Sequence, residues 1–140
     1  LWDFSFSRGT ILQAIEQRGH KLPSSDKFEL LLVVESELGT DDEICRDLLK
    51  LLEARTTIRC LIYRQPRRLQ GRQRLQSRMI RVMRNHAHFK PTSETWLFFG
   101  LTWGQGHIDC DVYTLNHGGT AFSPLARSET QIQSMSGRGN

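Results

Sequence analysis

The chain has 140 residues, 38% of them hydrophobic and 24% charged, with a net charge of +4 at pH 7. That is enough for one buried core and too little for two, so a single domain over residues 1–116 is expected. No run approaches the roughly 18 apolar residues of a membrane span, and the opening LWDFSFSRGT lacks the order of a signal segment, so a cytoplasmic protein without a membrane partner is expected.

In chain order, WDFSFS (2–7) alternates in polarity and predicts a short strand, and TILQAIEQRG (10–19) predicts a helix closed by Gly19. After the turn-rich KLPSSDK, the run FELLLVV (28–34) is too short for a typical helix and too continuously apolar for a half-exposed strand. It predicts a central strand covered on both faces. Glu35 and Glu37 end it. Alternation places both on the face of Leu31 and Val33, about 6.5–7 Å apart at Cα by the strand rise. Ionised carboxylates there must reach solvent, meet cations or hold a metal.

TDDE (40–43) is a capping-box pattern and sets a helix over 41–54 with Ile44, Leu48, Leu51 and Leu52 inward. Glu43, Asp47 and Lys50 are expected on its other face. TIRCLIYR (57–64) predicts the next strand, joined by a right-handed crossover and paired in parallel. Pro66 and Gly71 predict a break before a helix from about Gln73 to Asn85. TWLFFGLTW (95–103) and HIDCDVYTL (107–115) flank Gly104-Gln105-Gly106 and predict an antiparallel hairpin, with Asp109 and Asp111 on its solvent side. From His117 the composition offers little to bury, and 117–140 are expected to be a loosely ordered tail. Cys45, Cys60 and Cys110 have no disulfide or zinc spacing and are expected as small core residues. His86, His88 and His107 show no metal spacing on a defined element.

The basicity is local. Residues 64–84 hold eight arginines and no acid. Arg74, Arg78 and Arg81 make one helical stripe, with Arg67 just ahead, and such a stripe suits a phosphate backbone. The competing reading is an ordinary solvated helix face. Trp96, Phe98, Phe99 and Trp103 could stack on bases, but aromatics in a short hairpin more often fill a core.

VVESELG followed by DDEICRDLLKLLEARTTIRCLIYR resembles the acid-pair strand, helix and next strand of restriction-endonuclease-like proteins, the PD-(D/E)XK superfamily, in particular a bacterial branch with an E-S-E signature. The match covers about residues 28–64. The resemblance implies a three-layer α/β/α fold with a mixed central sheet, in a short member truncated at its N-terminus. It also implies a Mg²⁺- or Mn²⁺-dependent phosphodiesterase acting on nucleic acid, DNA in preference to RNA, with a homodimer as one possible assembly. By the same resemblance Asp3 and Glu35 are the metal ligands, Glu37 stands where a lysine is usual, and Lys50 supplies that cation from the following helix. From the residues alone, Lys50 can equally be an i, i+3 partner of Asp47. A metal-dependent nuclease and a non-catalytic nucleic-acid-binding or protein-interaction module both remain open.

Overall fold

The computed structural model describes residues 4–8 and 29–131. Six strands form one sheet in chain order. Strand β1 (Phe4–Arg8) runs antiparallel to β2 (Glu29–Glu37), while β3 (Ile58–Arg64) and β4 (Thr95–Trp103) run parallel to β2. β5 (His107–Leu115) and β6 (Phe122–Gln131) complete the sheet in antiparallel pairing.

Helix α1 (Asp41–Glu53) crosses from β2 to β3, and α2 (Leu69–Arg84) crosses from β3 to β4. Two crossovers of the same hand, each stepping to the next strand, put both helices on the same face. Their inward residues share one core: Ile44, Leu48, Leu51 and Leu52 of α1 and Leu75, Met79 and Met83 of α2 pack with Val33, Leu61, Tyr63, Trp96 and Phe98. The opposite face carries half-buried Leu32, Val34, Ile62, Leu97, Phe99 and Leu101. Among the described residues no helix covers that face. The helix expected at 10–19 and Asp3 lie outside the described residues.

The capping box forms as expected: the Glu43 backbone N–H donates to Thr40 Oγ1 at 3.4 Å, and Thr40 N–H donates to Glu43 Oε2 at 2.8 Å. Those bonds, the backbone one first, hold the Glu43 carboxyl below its usual range. The expected break at Gly71 does not occur. α2 already starts at Leu69, and Gly71 lies in its first turn because a Cβ there would come within 2.9 Å of Pro66 Cβ. This glycine allows a close approach rather than ending a helix.

Within the expected loose tail, residues 132–140 lie outside the described residues, and Phe122–Gln131 is instead a strand on β5. Without it β5 would leave a nine-residue edge unpaired. The turn into it is built by Asn116, whose Oδ1 accepts from Thr120 N–H at 2.7 Å and Ala121 N–H at 3.1 Å. Gly119 there adopts φ 61°, where L side chains are strained. Phe122 then anchors the strand against Phe98, ring centroids 4.4 Å apart.

Cys45 and Cys60 are buried, Cys110 half-buried, and all three are free. Burial pushes the Cys60 thiol up to about 11 from an ordinary 9.0, and raises the Tyr63 hydroxyl in the same way. The folded chain therefore keeps these protons where the unfolded chain sheds them. Stability that is intact below about pH 9 should fall as pH climbs toward 11, by at most about 1.4 kcal/mol per unit for each such group. Urea midpoints should drop between pH 8 and pH 10.5, and Cys60→Ala should remove part of that drop. Equal midpoints would mean that the Cys60 thiol meets solvent.

Candidate functional site

Glu35 sits mid-sheet, 1% exposed, on the face that the helices cover. It does not leave the core at the strand end. Its Oε2 lies 3.5 Å from Lys50 Nζ, and the same ammonium lies 2.6 Å from Asp47 Oδ1. α1 runs back over β2, and helical side chains lean toward the N-terminus, so Lys50 reaches over the preceding turn to both acids. The hydrogen bond to Asp47 is the first cause that raises the Lys50 pKa, and Glu35 adds to it. Lys50 is therefore the i, i+3 partner expected for Asp47, and it also lies beside Glu35.

Asp47 is a correction and an addition. Expected on the outer face, it is 7% exposed. The signal was present in the sequence, because Ile44, Asp47, Leu48 and Leu51 follow i, i+3, i+4, i+7 and form one inward stripe. Glu37 shares the face of Glu35, paired with Tyr63 where Glu35 pairs with Leu61. Its carboxylate turns to the loop instead, where Oε1 accepts from Gly39 N–H at 2.7 Å.

The arginine run divides into two populations. Arg72 is internal: Nη1 lies 2.9 Å from Asp111 Oδ2, and Nε donates to Pro66 O at 2.9 Å. Asp111, expected on the solvent side, is 8% exposed and also accepts from Gln65 Nε2 at 2.7 Å. Gly100 on the neighbouring strand makes room for that amide, since a Cβ there would come within 2.5 Å of Gln65 Oε1. Arg78 bridges the helices through an ion pair with Asp42, a bond that is the first cause raising its pKa. Arg67, Arg68, Arg74, Arg81 and Arg84 are exposed. Among the described residues no hydrogen bond or ion pair takes up Arg67, Arg74 or Arg81. Arg64 and Arg67 also border a cleft of about 330 Å³ with Leu38 and Trp103, beyond the C-terminal ends of the parallel strands.

Trp96 and Phe98 are core residues, 1% and 0% exposed, and do not form a stacking platform. Arg59 was not singled out from sequence, yet it is 3% exposed on the helix-covered face. It donates from Nε to Leu51 O and from Nη2 to Ala54 O, both at 2.7 Å, and pairs with Glu94 at 3.1 Å. Its guanidinium also lies 5.2 Å from the Trp96 ring centre. Burial lowers its pKa, and Glu94 opposes that shift.

No family model, curated protein or solved structure matches this chain. Fold and site together define an α/β protein with a mixed six-stranded sheet, an acid–lysine cluster beneath one helix and a basic outer face on the other. No described helix is long and apolar enough to cross a membrane.

Proposed function

We propose that the protein binds nucleic acid through the outer face of α2 and the turn ahead of it, on a restriction-endonuclease-like scaffold whose acid cluster serves the fold rather than turnover. The observation that carries this reading is the exposure of Arg67, Arg74 and Arg81 within a segment that contains no acid. Solvated helix faces ordinarily mix signs, whereas guanidinium groups held apart from carboxylates are available to phosphate. Arg78, committed to Asp42, is set aside as a principal contact.

Exchanging Arg67, Arg74 and Arg81 together for Gln should weaken binding to duplex DNA of unrelated sequences. The slope of log K against log salt should flatten by up to about 2.7, at about 0.9 for each lost contact. Arg78→Gln should leave the slope unchanged while lowering the melting temperature. Fluorescence anisotropy across a salt series, run on DNA and on RNA, reads both effects. An unaltered slope in the triple variant would sink the proposal.

A second reading has its own observation, the contact of Lys50 with Glu35, which joins the lysine and the acid that a Mg²⁺-dependent nuclease would require. The described donors do not fit a Mg²⁺ cage as they stand. Lys50 already supplies the counter-charge to Glu35, Asp47 faces the same ammonium, and Glu37 is engaged with Gly39. We therefore expect no cleavage of DNA or RNA with Mg²⁺ or Mn²⁺. Cleavage that Glu35→Gln abolishes at unchanged melting temperature would favour the nuclease instead.

A further inference from the structure

At the far end of the helix pair, α1 finishes on Glu53, while α2 finishes on Arg84 and leads through Asn85 into His86-Ala87-His88. His86 Nε2 lies 2.8 Å from one Glu53 carboxylate oxygen and His88 Nδ1 lies 3.5 Å from the other. One ligand atom from each of the three residues falls within 4.8 Å of the others. A tetrahedral ion with bonds of about 2.0–2.2 Å to nitrogen and oxygen needs ligand atoms roughly 3.3 Å apart. Small rotations of exposed side chains reach that spacing, because Glu53 and His88 are 59% and 65% exposed.

We propose that Glu53, His86 and His88 form a site for Zn²⁺ or a similar imidazole-preferring divalent ion. Two imidazoles and one carboxylate exclude the all-oxygen preference of Mg²⁺ and Ca²⁺ and match the donor set of three-ligand zinc centres with an open position. Glu53 and His88 also line a cleft of about 470 Å³ whose border includes Arg55, Lys90 and the acid Glu94. Those cations suit an anionic fourth ligand such as hydroxide or a carboxylate. His86 Nδ1 accepts from the His88 backbone N–H at 3.3 Å, which helps to fix the ring with Nε2 toward Glu53.

The chain separates these ligands by 33 residues, and only the side-by-side packing of α1 and α2 brings them together. The site is independent of the nucleic-acid reading, since Arg67, Arg74 and Arg81 are not among its ligands.

Isothermal titration with ZnCl₂ at pH 7.5 should show saturable one-to-one binding to the wild type. Affinity should fall by more than about tenfold in both His88→Ala and Glu53→Ala. Millimolar Mg²⁺ should not compete. Co²⁺ should give visible d–d absorption of tetrahedral strength in the wild type and lose it in His88→Ala, a signal that a merely structural His–Glu contact does not produce. Circular dichroism confirms that each variant remains folded. Absence of saturable binding by the wild type, or wild-type affinity in both variants, would overturn the site.

Discussion

Replacing Arg59 by Met should destabilise the fold by about 3–5 kcal/mol, the usual cost of removing one partner from a buried ion pair. Two carbonyls at the end of α1, Leu51 O and Ala54 O, lose their guanidinium donors, and Glu94 keeps its charge with its side chain only 11% exposed. Each carbonyl keeps one backbone donor, Ala54 N–H to Leu51 O at 3.2 Å and Thr56 N–H to Ala54 O at 3.1 Å, so the main cost falls on the buried ion pair with Glu94. Methionine fills a similar volume, so the loss reads polar satisfaction rather than a cavity. At this chain length the melting temperature should fall by about 9–15 °C. Adding Glu94→Gln should cost less than its effect in the wild-type background, because the carboxylate then left with only the Trp96 Nε1 donor loses its charge. A drop of under about 3 °C for Arg59→Met would mean that the backbone donors Ala54 N–H and Thr56 N–H suffice for those carbonyls and that the Glu94 charge finds another partner.

Asp111→Ala should cost about 2–4 kcal/mol, because one carboxylate oxygen accepts from both Gln65 Nε2 and Arg72 Nη1 in a largely water-excluded place. A double-mutant cycle with Arg72→Ala should give a coupling of at least about 1 kcal/mol. Arg74→Ala, two positions further along the same basic run, should change stability by no more than about 0.5 kcal/mol, since its side chain is exposed. Thermal and urea unfolding of the wild type and the four variants would check this. Equal effects at Arg72 and Arg74 would remove the distinction between structural and ligand-facing arginines on which the proposed function rests.

Much of the architecture was legible because local physics decides it. The continuous Leu/Val run of β2, the capping box at Thr40 and the short Gly-Gln-Gly connection between β4 and β5 each specify one conformation with little help from distant residues. β6 was not legible in Phe122–Gln131, because its composition is that of a tail. What makes it a strand is the edge of β5, a partner that composition does not register. Gly71 misled for a related reason: sequence reads glycine as a break, whereas here the missing side chain admits Pro66.

The candidate site divides in the same way. Sequence by itself determined that Glu35 and Glu37 share a face, that a helix with Lys50 follows them, and that arginines without acids crowd residues 64–84, since alternation, helical period and composition are local properties. Only the tertiary structure decided which of those charges are spent. The fold carries Lys50 back over Glu35 and Asp47, buries Asp111 against Arg72, ties Arg78 to Asp42, and leaves Arg67, Arg74 and Arg81 outward. A charge buried in a core must find its partner in three dimensions, and residues 15 to 39 positions apart become partners only once the crossovers have laid both helices on one face of the sheet.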